Sequence, residues 1–335
     1  MKNSTMSVAR FSSGGFRRAA MLIADQLESF LGNFESLSSR IRHLSYNTDE
    51  LGDRIDVRCS YIAFKDGKQT FDEFLEVLYH QIVSFCLPRS EIAPAHDRMK
   101  QALADNDTVL VNQISTQLHE RARSLFMKAK KGSHRSGEAG EILLFVLVEW
   151  LLGAPQIVSK MYLKTNNNMP VHGTDGIHAK FDDETKKLLL YWGESKAHNS
   201  LGNAFSSAMK SIKDFIDEGG QDFEVKVVSS FSDFNTATEA AKQAFINYLD
   251  PYSEDYNQCI TVFACLLVFD FPPNDSEQSF TESANQAVND FIKFLPKKLK
   301  HREMGDIRFE FFLVPVPSAQ DFRDKFQVRI GWPND

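Results

Sequence analysis

The stretch GTDGIHAKFDDETKKLLLYWGESK, residues 173–196, is the part of the sequence that decides the fold. Two runs rich in apolar residues flank the polar segment DDETKK, which is typical of a β-hairpin with its loop at that segment. If the turn is centred between Glu184 and Thr185, Asp175 faces Glu194 with Cβ atoms roughly 5 Å apart. Lys196 then points to the same side as Glu194, because side chains alternate along a strand. The hairpin therefore gathers two acids and an amine at its open end.

This trio predicts a site for a divalent metal. Two facing carboxylates repel each other and raise each other's pKa unless a cation lies between them. Mg²⁺ prefers oxygen ligands and commonly takes one or two carboxylates, waters and substrate phosphates. A nearby ammonium can hold the attacking water or stabilise the charge that develops on a phosphate. Metal-assisted hydrolysis of a phosphodiester needs these groups. The alternative is structural: Asp175 caps a turn, and Glu194 and Lys196 form a solvated ion pair.

An E-x-K triplet alone is weak evidence, and the chain contains two others. Glu184 and Lys186 lie in the predicted turn, and Glu224 and Lys226 lie in the predicted strand FEVKVVSSF. Neither triplet faces an acid across a short hairpin. Glu194 differs because it follows the apolar run LLLYW, which places it at the end of a buried strand.

The composition indicates a globular protein with a large core. The chain has 335 residues, of which 42% are hydrophobic and 25% charged. Its net charge of −7 excludes a uniformly cationic nucleic-acid binder but not a cleft with concentrated positive charge. The four cysteines have no CxxC spacing, which argues against a disulfide framework or zinc site and favours a reducing cytoplasm. No apolar run is long enough for a membrane span, and no signal peptide is recognisable at the N-terminus.

Helical and strand patterns interleave along the chain, which predicts an α/β sheet covered by helices. Residues 1–130 are predicted to form a mostly helical accessory region for partner docking, and residues 131–335 the α/β domain. A buried helix is predicted from Ser136 to Gly153. Further strands are predicted at IVSKMYLK (157–164), FEVKVVSSF (223–231), CITVFACLLVFDF (259–271), RFEFFLVPV (308–316) and KFQVRIGW (325–332).

An acid on a helix followed by a hairpin with D…ExK resembles the PD-(D/E)xK nuclease superfamily. The pattern here is Glu138 or Glu141, then Asp175, then Glu194-Ser195-Lys196, with Thr174 where the superfamily name has proline. More narrowly, four segments within 137–200 resemble the HamA nuclease family of the Hachiman anti-phage defence system. They are GEAGEILLFVLVEW, KMYLKT, VHGTDGIH and LYWGESKAHN.

The resemblance implies a restriction-endonuclease-like core, a mixed sheet flanked by helices. It implies a DNase that uses Mg²⁺ or Mn²⁺ and a helicase partner, HamB, that restrains the nuclease until phage infection. Asp175, Glu194 and the Ser195 carbonyl would hold the metal, and Lys196 would position or activate the attacking water. Glu138 would complete the site, directly or through a metal-bound water, with Glu141 as the alternative.

Basic residues near these motifs are candidates for contact with DNA phosphates, the alternative being a solvated surface. They are Lys128, Lys130, Lys131, Arg135, Lys160 and Lys164. His172, His178 and His198 have structural or supporting roles rather than metal ligation. Two other classes of protein remain open: a nuclease-fold interaction subunit without activity, and a stand-alone endonuclease with its own specificity module.

Overall fold

The structure is a computed structural model that describes residues 13–46, 51–130, 137–164, 173–182, 184–272 and 276–332. The strands are β1 (Ile41–His43), β2 (Ile55–Ile62), β3 (Phe64–Lys65), β4 (Lys68–Gln69), β5 (Gln156–Val158), β6 (Gly176–Asp182), β7 (Lys187–His198), β8 (Cys259–Asp270) and β9 (Arg308–Val316). The helices are α1 (Ser13–Phe30), α2 (Glu35–Ser38), α3 (Phe71–Tyr79), α4 (Ile82–Cys86), α5 (Arg89–Ala104), α6 (Thr108–Lys130), α7 (Glu138–Leu152), α8 (Lys160–Lys164), α9 (Leu201–Asp217), α10 (Gly220–Phe231), α11 (Glu239–Leu249), α12 (Glu277–His301) and α13 (Ala319–Ile330).

Seven of the described strands form one mixed sheet in the order β1-β2-β9-β8-β7-β6-β5. The central strands β2, β9, β8 and β7 are parallel, whereas β1 and β6 run antiparallel to their inner neighbours. The short β5 pairs antiparallel with β6 at the far edge. This agrees with the predicted mixed α/β sheet.

Helices cover both faces of the sheet, because successive residues of the central strands point to opposite faces and most are apolar. On one face, Trp192, Phe263 and Phe311 pack with residues of α1, α9, α11 and α12. On the other face, Tyr191 and Phe312 pack with residues of α3, α4, α7 and α13. The result is a three-layer α/β/α arrangement with a core on each side of the sheet.

The N-terminal region belongs to the same sheet as the rest of the chain. Strand β2 pairs with β9 through partners such as Cys59 and Leu313. Helix α1 contacts β6 and α11, and its residue Ile23 is fully buried in the first core. Residues on both sides of position 130 therefore contribute to the same sheet and the same core.

Two segments predicted as strands are helices. Residues 223–231 lie in α10, which buries Glu224, Val227 and Val228 at helical spacing. Residues 325–330 lie in α13, which buries Phe322, Phe326 and Ile330 on one face. Each segment has alternating apolar residues and β-branched valines, which resemble a strand, but tertiary packing selects the helical face. The strand predicted at 157–164 is also shorter, because β5 ends at Val158 and α8 follows.

Helix α7 is the buried helix predicted from the sequence, and it ends at Gly153 in the left-handed conformation (φ +62°). Its Glu149 is buried and accepts hydrogen bonds from the Gln156 N–H (2.7 Å) and the Gly32 N–H (3.2 Å). Arg89 lies 3.5 Å from Glu149 and pairs with Asp233 at 2.6 Å. These contacts tie the C-terminal end of α7 to its neighbours. No helix among the described residues is long and apolar enough to cross a membrane.

Candidate functional site

The β6–β7 hairpin has the predicted register. Gly176 pairs with Gly193, and Ile177 pairs with Trp192. Asp175 immediately precedes β6, and its N–H donates to the Gly193 carbonyl at 2.7 Å. The ladder ends at the pair of Gly176 and Gly193, and the Asp175 N–H bonds the Gly193 carbonyl rather than that of Glu194. The predicted pairing of Asp175 with Glu194 therefore lies beyond the observed ladder and stays a prediction.

Strand β7 extends past the first residue of β6, and among the described residues no strand pairs with this part of β7 on the β6 side. The Ser195 N–H at this edge donates to the Asp175 carboxylate at 2.8 Å. The N–H and C=O of a strand residue point to the same side of the strand. The Ser195 carbonyl therefore points to the side on which Asp175 lies.

Lys196 and Glu194 form an ion pair through Nζ and Oε1. The Glu194 side chain is 7% exposed and that of Lys196 is 27% exposed. Burial lowers the pKa of Lys196, but the neighbouring carboxylates of Glu194, Asp175 and Glu141 outweigh burial and raise that pKa overall. The ammonium stays protonated at neutral pH, so Lys196 acts as a hydrogen-bond donor and a positive charge.

The first turn of α7 packs directly on the strand segment of the E-x-K triplet. A Cβ atom at Gly140 would lie 2.2 Å from the Ser195 Oγ, so any larger residue here would force the Ser195 side chain to move. Glu138 is the first residue of α7, and Glu141 is in the same turn. The effect of the Glu141 charge on the Lys196 pKa shows that the helix contributes an acid to this neighbourhood.

The donor set for a metal consists of two carboxylates and one backbone carbonyl. Within the described ranges, no three His, Cys, Asp or Glu side chains converge closely enough to hold a metal ion. The hard oxygens of Asp175, Glu194 and Ser195 fit Mg²⁺ or Mn²⁺, since Mg²⁺ keeps several waters and needs few protein ligands.

A pocket of about 300 Å³ opens beside Glu194, between the hairpin and α9. Asp214 and Glu218 line the α9 side, which makes the pocket acidic, and Phe215 and Phe263 give it an apolar wall. Gly173 and Thr174 form the hairpin side. The pocket leaves room for water or a cation next to the Glu194 carboxylate.

A buried clamp holds the backbone that leads into Asp175. Lys160 and Glu224 form an ion pair whose side chains are 4% and 0% exposed. The Lys160 ammonium donates to the Thr174 carbonyl, and the Thr174 N–H donates to Glu224 at 3.1 Å. The expectation that Lys160 contacts a DNA phosphate is wrong, because its ammonium is buried within this clamp.

The structure describes only some of the other predicted residues. Lys128 is exposed near the end of α6. His178 is fully buried and bonds the Ala154 carbonyl through Nδ1 at 2.9 Å, and burial lowers its pKa to about 4. Its predicted structural role is confirmed. The remaining calls lie outside the described residues or side chains: Lys130, Lys131, Arg135, Lys164 and His172.

The sequence reasoning did not find the partners that support the site. Glu224 is 64 residues from Lys160, so no local pattern indicates that they pair. Arg323 of α13 donates to the Ala197 carbonyl at 2.7 Å from 126 residues away. Gly140 had a local signal, a glycine within the first turn of a helix, where it weakens the helix unless a close approach requires it.

The comparison with known families covers most of the chain. A family model described as HamA matches residues 38–330, a range that includes β2, the hairpin and α13. No curated protein matches the sequence. The matched range therefore extends on both sides of residues 137–200, which contain the four segments that resemble this family.

Proposed function

The chain belongs to the HamA family, which links it to Hachiman anti-phage defence, and we propose that it is a metal-dependent DNA nuclease with a PD-(D/E)xK core. The observation that carries the proposal is the arrangement at the open edge of β7. Asp175 bonds the Gly193 carbonyl and the Ser195 N–H, the residues on either side of Glu194, and the Lys196 ammonium is paired with Glu194. The mixed α/β sheet flanked by helices supports the proposed core.

Asp175, Glu194 and the Ser195 carbonyl would hold the Mg²⁺ or Mn²⁺. When bound, the ion would neutralise charge on the phosphate and make a coordinated water more acidic. The Ser195 N–H orients the Asp175 carboxylate through its 2.8 Å hydrogen bond. The clamp of Lys160 and Glu224 fixes Thr174, and thereby the backbone that presents Asp175.

Lys196 would donate a hydrogen bond to the attacking water or to a phosphate oxygen. Its raised pKa supports this role, because a protonated ammonium cannot accept the proton of water. The ion pair with Glu194 restricts where the ammonium can lie. Glu138 or Glu141 of α7 would act through a coordinated water, and the charge interaction between Glu141 and Lys196 supports Glu141.

We further propose that the nuclease is the effector of a complex in which a helicase partner controls its activity. The family membership supports a partner within a defence system.

One observation favours the second candidate, a nuclease-fold interaction subunit without activity. Among the described residues no three potential metal-ligating side chains converge, and Lys196 already neutralises Glu194. In that case the acids at the hairpin would serve the stability of the sheet edge alone.

The test is degradation of plasmid DNA by the purified chain, with and without the helicase encoded beside it and ATP. The arms contain Mg²⁺, Mg²⁺ with EDTA, and the variants Glu194→Ala and Lys196→Ala. The proposal expects metal-dependent loss of DNA that each variant lowers by about 10²–10⁴-fold. Survival of DNA in every arm, while the two proteins still co-purify, would establish the inactive subunit instead.

A further inference from the structure

The open edge of β7 carries a second charged group that faces the same way as the candidate metal site. We propose that Arg323 of α13, together with His198, forms a phosphate-binding element that holds the DNA strand beside the candidate active site. This inference rests on the proposed function for the identity of the ligand, a phosphodiester backbone.

The backbone of β7 shows how Arg323 comes to lie at this edge. Gly193 and Ser195 direct their backbone groups toward the β6 side, as their hydrogen bonds with Asp175 show. Ala197 is two residues further on and therefore points the same way. The Arg323 guanidinium donates to the Ala197 carbonyl at 2.7 Å. Arg323 and Asp175 thus bond the same strand edge two residues apart, roughly 7 Å along the strand.

The Arg323 guanidinium keeps donors available for a ligand. It donates through two N–H groups, to the Ala197 carbonyl and to the Gln320 side chain at 2.5 Å. A guanidinium has five N–H donors in a planar fork that suits phosphate oxygens. In the part of the chain that the structure describes, no carboxylate lies within ion-pair distance of Arg323. Its charge is therefore not neutralised by a neighbouring acid.

His198 and Lys196 lie on the same strand as the carbonyl that Arg323 bonds. His198 is the last residue of β7, and burial, Arg323 and Lys196 together lower its pKa, in that order of size. The charges of Arg323 and Lys196 both act on the His198 ring. Lys196 is paired with Glu194, and the lowered pKa of His198 keeps its ring neutral at pH 7, so Arg323 supplies the positive charge and His198 a hydrogen-bond donor. A guanidinium at this edge attracts an anion, and the anion that a nuclease brings here is the phosphate of a nucleic-acid strand.

The alternative is that Arg323 only caps a carbonyl at the end of a strand. Arg329 on the same helix provides the matched control, because it also donates to one backbone carbonyl of a neighbouring element, that of Asp72 at 2.8 Å. Both arginines are partly buried on α13. They differ in position, since Arg329 bonds α3 and Arg323 bonds the strand of the candidate site.

The experiment measures binding of a short fluorescein-labelled duplex, and of its single strand, by fluorescence anisotropy at several salt concentrations. Ca²⁺ replaces Mg²⁺ to prevent hydrolysis. We expect Arg323→Gln to weaken binding about tenfold and to reduce the salt slope by roughly 0.7–0.9, the value of one phosphate contact. Arg323→Lys should keep the salt slope and lose only part of the affinity. Arg329→Gln should bind as the wild type does.

Equal affinity and equal salt slope for Arg323→Gln and Arg329→Gln would overturn this inference and leave the proposed nuclease intact. Binding that depends on Arg323, in a protein that hydrolyses no DNA with Mg²⁺, Mn²⁺ and the helicase present, would overturn the nuclease and leave the phosphate element. Absence of DNA binding at low salt would overturn both. Thermal unfolding of each variant shows whether a loss of binding comes from a loss of fold.

Discussion

The buried clamp beneath Asp175 offers a prediction that separates stability from activity. Replacing Glu224 by alanine leaves the Lys160 ammonium, 4% exposed, without its carboxylate partner. Removing one partner of a buried ion pair costs about 3–5 kcal/mol of unfolding free energy. The double replacement Lys160→Met with Glu224→Leu removes both charges and should recover most of that loss.

Activity should respond differently, because the clamp also binds the backbone before Asp175. The double variant removes the acceptor of the Thr174 N–H and the donor to the Thr174 carbonyl. An unsatisfied buried backbone group costs about 1–3 kcal/mol, which is enough to let this segment move. We expect the double variant to regain stability while its DNA cleavage rate stays well below that of the wild type.

The assays are urea unfolding for the free energy and plasmid cleavage for the rate. The exposed pair of Lys210 and Asp214 on α9 is the control, since its removal should cost only about 0.3–0.5 kcal/mol. The reasoning would be refuted if Glu224→Ala changed stability no more than Asp214→Ala does. It would also fail if the double variant cleaved DNA at the wild-type rate.

Three further predictions concern other parts of the chain. Gly173→Ala should destabilise the fold by about 1–3 kcal/mol in urea unfolding, because φ at this position is +141° and a Cβ would meet the Glu224 carboxylate; an unchanged midpoint would contradict this. Burial raises the pKa of Glu310 to about 7, above the ordinary 4.5 of the unfolded chain. Because the unfolded state loses its proton first, the unfolding free energy of the wild type should fall between pH 4.5 and 7 by up to roughly 3 kcal/mol relative to that of Glu310→Gln. Parallel curves of unfolding free energy against pH for the two proteins would exclude this. Gly140→Val should lower cleavage at least tenfold by pushing Ser195 away from α7, whereas Gly202→Val, at a position with open space around it, should cleave as the wild type does.

The hairpin could be predicted from the sequence because the residues that determine it are close together in the chain. The polar segment DDETKK fixes the turn, and the turn fixes the register of every pair in the two strands. That register ends at Gly176 and Gly193 and leaves Asp175 bonded to Gly193 and Ser195, beside Glu194. Helix α7 was equally predictable, since a long apolar run ends at a glycine that takes the left-handed conformation.

The supporting contacts could not be predicted because they join distant parts of the chain. Lys160 meets Glu224 across 64 residues, and Arg323 meets Ala197 across 126 residues. Composition near each residue says nothing about such partners, so the buried Lys160 was expected on the surface. The same limit explains why the N-terminal region was treated as separate, although β2 completes the sheet beside β9.

Two helices were predicted as strands because a short apolar pattern can fit both the helical spacing and the alternation of a strand. The segment around Val227 and Val228 alternates over a few residues, and so does the segment around Phe326 and Val328. In each case the face that is buried has helical spacing, which a short window cannot distinguish from alternation. The packing of α10 and α13 against their neighbours decides between the two.

The measurement that tests the central claim most directly is binding of Mn²⁺ by isothermal titration calorimetry. The account predicts one site in the wild type that Asp175→Asn and Glu194→Gln each weaken at least tenfold. The triplet of Glu184 and Lys186 in the hairpin turn supplies the control, and Glu184→Gln should bind Mn²⁺ as the wild type does. Equal Mn²⁺ affinity in all four proteins, or no binding in any, would contradict the claim that this hairpin holds a catalytic metal.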